Sequence, residues 1–149
     1  QLLELSSYCQ KNNIIFLASP FDLINVNFLN EINVPIFKVP SGEITHIPYL
    51  RKIGSLNKPV ILSTGMSLLS EVKTAVSTLF NAGLSNSHLS LLHCTTEYPC
   101  PVEEVNLNVI KTLQKEFKVP VGLSDHTPGI TVSLAAVAMG AKIIENTLL

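Results

Sequence analysis

Phe37-Lys38-Val39-Pro40-Ser41-Gly42-Glu43 is the stretch on which the reading of this chain turns. An apolar run carries a cation inside it and ends in a hydroxyl, a glycine and a carboxylate. A strand covered on both faces of a parallel sheet reads as near-continuous apolar residues, not as an alternation. When such a strand opens into a polar loop, it delivers side chains to one end of the sheet. Four other apolar runs finish in the same manner, over residues 60–65, 89–98, 121–126 and 142–147.

Helical patterns alternate with these runs. Leu2, Leu3, Leu5 and Tyr8 place a helix over 1–11, stopped by Asn12-Asn13. Residues 14–18, all apolar, read as a fully buried strand closed by Ser19-Pro20, and 22–32 as a helix. A strand over 36–39 follows, then a helix over 49–54 introduced by His46-Ile47-Pro48. Ser67 is placed to cap a helix with the stripe Leu68, Val72, Ala75/Val76 and Leu79/Phe80, ended by Gly83. Leu107, Ile110, Leu113 and Phe117 mark another helix. A strand over 120–123 leads to a helix over 130–139 that is apolar on nearly every side, hence expected to be buried. Gly140 ends it, and 141–145 is the last strand. Strand starts near 14, 36, 59, 89, 120 and 142 lie 22 to 31 residues apart, the spacing of consecutive βα units on a parallel sheet. A doubly wound sheet calls for a glycine-rich phosphate turn such as GxGxxG, and the sequence contains none. A (β/α)8 TIM barrel sets its chemistry at the C-terminal ends of many strands. Barrels need at least ~200 residues, so the expectation is an incomplete barrel of about six βα units, a partial TIM-barrel domain over 1–149.

Composition narrows the partners. With 46% hydrophobic and 14% charged residues, a chain of 149 residues suits one domain with a buried core and argues against disorder. A net charge of −1 offers no basic field for nucleic acid and no cationic face for a membrane, so any anion must be held by local groups. Cys9, Cys94 and Cys100 cannot all pair within one chain and form no CxxC, which fits a reducing, cytoplasmic compartment. Cys94, inside an apolar strand, reads as a core residue. No run reaches the ~18 apolar residues of a membrane span. No signal peptide is seen, and Gln1 lies within a helix pattern, so the chain is expected to begin mid-protein.

The chemistry-bearing residues sit at the strand ends. Lys38, within an apolar strand, must face a wet mouth or an anion, because an unpaired buried ammonium is costly. Ser41 and the Gly42 amide can donate to the same anion, and Glu43 is placed for proton transfer; the plainer alternative is a surface lysine with a capping serine and its glutamate. Ser63-Thr64-Gly65 offers two hydroxyls, though such triplets are common turn formers, and Ser19 is a weaker instance. His93 reads as a satisfied core imidazole. Tyr98 reads equally as a hydrogen-bonding partner for a polyol and as a rim-packing aromatic. His126 at a strand end is a natural metal ligand, with Asp125 able to orient it and Glu145 able to face the same mouth. A serine hydrolase is disfavoured: there is no GxSxG, and Ser124 and His126, two apart on one strand end, do not form a relay.

At these residues the sequence resembles the N-acetylneuraminate (sialic acid) synthase family. The blocks are residues 38–43 (KVPSGE), 61–66 (ILSTGM), 92–99 (LHCTTEYP), 121–127 (VGLSDHT) and 140–145 (GAKIIE), in order, with 16–22 in addition. The resemblance implies condensation of phosphoenolpyruvate with N-acetylmannosamine or a related amino sugar, releasing phosphate. It implies that Lys38, Ser41, Ser63 and Ser124 hold the phosphate and carboxylate, with Ser19 where the family often has threonine and Thr96 adding a contact. Glu43 would manage protons or the attacking water, and Tyr98 would contact the amino sugar. His126 would ligate a divalent cation, manganese or else magnesium. The intact protein would be a homodimer. The sequence departs from the family where a second histidine ligand is expected: Glu145-Asn146 is followed by Thr147. The family's first two barrel strands and its C-terminal antifreeze-like domain have no counterpart in the chain. Two further readings follow: an inactive remnant or binding module that would self-associate through open strand edges, and a synthase for legionaminic or pseudaminic acid.

Overall fold

Five short apolar runs become parallel strands that lie side by side in the order of the chain. The computed structural model describes residues 1–147. Strands β1 (Phe37–Val39), β2 (Val60–Ser63), β3 (Leu89–Cys94), β4 (Val121–Asp125) and β5 (Ile144–Asn146) form one sheet in the order β1-β2-β3-β4-β5. A doubly wound sheet reverses its strand order at a switch point; this one does not, which is the arrangement of a barrel wall. Helices α3 (Ile47–Ser55), α4 (Leu69–Asn81), α5 (Asn108–Phe117) and α6 (Thr131–Ala138) fill the connections, preceded by α1 (Leu2–Lys11) and α2 (Leu23–Glu31).

Register sorts the side chains. Lys38 pairs with Ile61, Ser63 with Leu92, Cys94 with Ser124, and Ser124 with Glu145. Residues paired across a parallel sheet share a face, and neighbours along a strand alternate. Phe37, Val39, Val60, Leu62, Leu91 and Leu123 therefore point the other way. They pack with Ile53, Leu79 and Ile110 of the helices in one core. Burying each such side chain contributes about 1.5–3 kcal/mol, so this outer face of the sheet holds the structure and the inner face is left for chemistry. Gly122 lets β4 and β5 close up: a Cβ there would overlap the Ile143 carbonyl.

Most element assignments hold to within a residue or two, with Gly83 and Gly140 ending α4 and α6. Three expectations do not. Residues 14–18 form no strand, so five strands are seen rather than six; Ile14 and Ile15 are exposed, and only Phe16 and Ala18 pack on the core. An apolar run becomes a strand only when a neighbour satisfies its backbone, and none of the described residues pairs with this one. The segment is nonetheless fixed at its end, where the buried Tyr49 hydroxyl donates to the Pro20 carbonyl at 2.7 Å. Helix α6 is buried only through Val132 and Ala136, while Leu134 and Val137 are exposed on its outer face. Ser67 does not cap α4; its hydroxyl donates to the Gly65 carbonyl, and the Glu71 carboxylate takes the Leu68 amide instead. Cys94 is buried as expected, on the inner face of the sheet. Among the described residues no helix is long and apolar enough to cross a membrane.

Candidate active site

The inner face of the sheet ends in an open mouth about 270 Å³ in volume, lined by Lys38, Ser63, Cys94, Ser124 and Glu145 from five consecutive strands. The loops add Ser19, Ser41, Thr96, Tyr98 and His126. Residues scattered over more than a hundred positions of sequence thus meet at one end of the sheet.

Lys38 is its electrostatic centre. Only 6% exposed, its ammonium donates to Ser63 Oγ at 2.7 Å and lies 3.3 Å from Glu145 Oε2. Those two contacts engage two of the three ammonium donors. Ser41 Oγ accepts the Gly65 amide at 2.9 Å, so its own proton is free to be donated. Gly65 has to be a glycine for this approach: a Cβ would stand 2.8 Å from the Thr96 methyl and 3.1 Å from the Cys94 carbonyl. Thr64, the second hydroxyl of its triplet, turns away and donates to the Leu92 carbonyl at 3.0 Å.

Ser124, Glu145 and His126 form the second half. Ser124 Oγ donates to Glu145 Oε1 at 2.7 Å and lies 3.3 Å from His126 Nε2. His126 Nδ1 faces the Thr95 carbonyl at 2.8 Å. A carbonyl only accepts, so Nδ1 carries the proton and, in the neutral ring, Nε2 presents a lone pair to the mouth. That is the form of a metal-ligating imidazole, with one nitrogen anchored on a backbone oxygen and the other offered outward. Tyr98 stacks on the ring at a centroid distance of 3.9 Å and fixes its plane. The His126 imidazole and the Glu145 carboxylate, separated by one hydroxyl, are the metal-type donors at this end of the mouth. Among the described residues no group of three His, Cys, Asp or Glu assembles there, so further positions on such an ion would fall to water or ligand oxygens, as hard cations commonly accept. Thr147 lies exposed in a cleft beside His126 and Asn146.

Asp125 does not orient His126. It points to the opposite side of β4, where it accepts from the Thr127 amide and hydroxyl and from Ser133 Oγ at 3.0, 2.7 and 2.5 Å. Burial pushes its carboxyl up, but these hydrogen bonds outweigh burial and hold it below the ordinary carboxylate range. Glu43 stays at the rim, bonded through Oε2 to His46 Nδ1 at 2.9 Å, with the His46 ring stacked on Tyr49. It does not line the mouth with the others. His93 is buried but unsatisfied: its Nε2 has no partner among the described residues, and burial lowers its basicity. Cys94 and His46 are the residues sequence reasoning left out of the site. Burial pushes the Cys94 thiol up, against the pull of Ser124, Ser41 and Lys38. The signal for Cys94 was its alternation parity on β3; for His46 it was the spacing of three from Glu43.

The NeuB family pattern matches residues 1–148. The chain belongs to the NeuB family. Over 143 residues it is 55% identical to the N,N'-diacetyllegionaminic acid synthase of Campylobacter jejuni, covering 96% of this chain and 43% of that protein. It is 42% identical to the N-acetylneuraminate-9-phosphate synthase of Mus musculus, covering 98% of this chain and 40% of that protein. The crystal structure of the N-acetylneuraminic acid (sialic acid) synthetase of Leptospira borgpetersenii in complex with citrate superposes with a TM-score of 0.90 at 44% identity, over 97% of this chain and 49% of that one. This NeuB-family chain thus spans less than half the length of the relatives it matches.

Proposed function

We propose that this chain forms part of the catalytic barrel of a nonulosonic acid synthase, which condenses phosphoenolpyruvate with an N-acetylated amino sugar and releases phosphate. In that reading its five strands are part of a (β/α)8 wall. The observation that carries it is the convergence of one buried ammonium, three serine hydroxyls and an anchored imidazole on a single mouth. In a chain of net charge −1, an anion binds only where local donors converge. Lys38, Ser63, Ser41 and Ser124, with Thr96 and Ser19 at the edge, hold the phosphate and carboxylate of phosphoenolpyruvate. Tyr98 contacts the amino sugar. His126 would hold a divalent cation, with Glu145 beside it; such an ion, manganese or magnesium, supplies Lewis acidity toward an aldehyde oxygen. Carbon 3 of phosphoenolpyruvate bonds to the aldehyde carbon, water adds at carbon 2, and phosphate departs. Glu43, held by His46 at the rim, has to turn into the mouth to take the proton of that water. The intact protein works as a dimer in the cytoplasm, where the three free thiols are stable.

The test is phosphate release from phosphoenolpyruvate by the full-length protein with manganese, with N-acetylmannosamine and with the amino-sugar precursor of legionaminic acid offered separately. The identity to the legionaminic acid synthase makes the second sugar the better substrate. Release that depends on both sugar and metal is the expected result. A folded protein that releases none is the inactive remnant, and the proposal fails.

A further inference from the structure

Glu145 occupies the place where a bound anion has to be. Its Oε2 lies 3.3 Å from the Lys38 ammonium, and Lys38 has no other acidic partner among the described residues. Its Oε1 is held by Ser124, whose hydroxyl also faces His126 Nε2 at 3.3 Å. One carboxylate therefore stands between the cationic half of the mouth and the half that presents a free imidazole nitrogen. The Glu145 side chain is 43% exposed, against 8% for Lys38. The lysine is fixed and the carboxylate is the member able to turn.

We propose that Glu145 is a tethered competitor for the anion site, which a divalent cation at His126 draws off Lys38, so that cation and anion bind cooperatively. The proposal rests on the anion and cation sites assigned above. Without the cation, an incoming phosphate or carboxylate must displace Glu145 from Lys38 and then lie beside a like charge. With the cation present, Glu145 turns across Ser124 to the positive ion, and Lys38 and the Ser124 hydroxyl are released to the anion. Two ligands that bias one two-state element are coupled, and the coupling is reciprocal. Glu145 is here a positioning residue: it sets when Lys38 is available.

The experiment is calorimetric binding of phosphoenolpyruvate and of inorganic phosphate to the full-length protein, with and without manganese, followed by manganese titrations with and without saturating phosphate. Manganese is expected to tighten both anions by about ten-fold, within the usual span of such coupling, and phosphate to tighten manganese by the same factor. Glu145→Gln keeps the shape and removes the charge. It is expected to bind both anions more tightly than the parent when no metal is present, and to lose most of the coupling. A residue with a merely structural role would weaken metal-free anion binding when changed. Anion affinity that is independent of manganese in the parent, or Glu145→Gln binding anions no better without metal, overturns the proposal while leaving the two sites in place. Absence of any anion binding in both proteins overturns the site assignment itself and this inference with it.

Discussion

Replacing Gly65 by alanine tests the architecture of the mouth with a single methyl group. The added Cβ would meet the Thr96 Cγ2 at 2.8 Å, Ser41 Oγ at 3.0 Å and the Cys94 carbonyl oxygen at 3.1 Å. Carbon contacts relax at about 3.5–4.0 Å, so the Thr96 methyl must give by roughly 0.7 Å. The threonine can rotate, but the Cys94 carbonyl is backbone and belongs to β3, so part of the shift falls on the loop that carries Ser41. Overpacking of this kind costs about 1–3 kcal/mol. The functional cost is separate. The Gly65 amide is what orients the Ser41 hydroxyl, and misplacing a binding group by about 1 Å is enough for a hundred-fold loss. Gly65→Ala is therefore expected to lower the urea midpoint and to weaken phosphoenolpyruvate about ten-fold or more. Calorimetry reads the second effect and a chemical melt the first. A variant with the parent's anion affinity and stability would refute the claim that strand-end packing at Gly65 sets the Ser41 donor.

Three other outcomes are expected. Lys38→Met removes a charged donor of the kind that contributes about 1.5–3 kcal/mol, so phosphoenolpyruvate binding falls roughly ten- to hundred-fold in a folded protein; an unchanged Kd would remove Lys38 from the anion site. Tyr49→Phe leaves the buried Pro20 carbonyl without its 2.7 Å donor and costs about 1–3 kcal/mol by denaturant titration, and no loss would mean that water replaces the hydroxyl. The Asp125 carboxyl is held below its ordinary value in the fold, so its contribution is present above the unfolded carboxylate range. It is lost as pH falls through that range and below the folded value. Asp125→Asn should flatten this acid limb of the stability profile, and a variant with the parent's full acid limb would show that other carboxylates carry it.

The fold was legible because the βα spacing and the continuous apolar runs are set by burial in the chain itself. Strand β3 and the helix ends at Gly83 and Gly140 follow from residues that act locally. Residues 14–18 misled because an apolar run states that it seeks cover, not that a neighbouring strand is there to pair with it. Helix α6 misled for a related reason: apolarity all round predicts burial all round, yet the sheet covers only Val132 and Ala136. Within the site, Lys38 stood out as a charge inside an apolar strand. The distant partners of Lys38, His126 and Asp125 did not, because Glu145, Thr95 and Ser133 lie 107, 31 and 8 positions away.

Much of that missing information was a matter of parity. Once Lys38 is taken to face inward, registers fix Ile61, Ser63, Leu92, Cys94, Ser124 and Glu145 on the same face. Four of those six positions carry a polar or ionisable group, while the opposite parity on β1 to β3 is apolar until His93. The rule separates the adjacent pair Ser124 and Asp125, which composition alone cannot: one serves the mouth, and the other ties the loop to α6 through Thr127 and Ser133. It sets the buried Cys94 on the mouth side of the sheet. It also sets His93 on the helix side of the sheet, which explains why an imidazole one residue from the mouth takes no part in it and is left with an unpaired nitrogen. An unpaired buried nitrogen is costly, and parity predicts that His93→Leu or His93→Phe is tolerated or stabilising while phosphoenolpyruvate affinity stays unchanged. A His93→Leu protein that folds with the parent's stability but no longer binds the anion would place that side chain on the wrong face of β3, and with it the alternation on which the site is built.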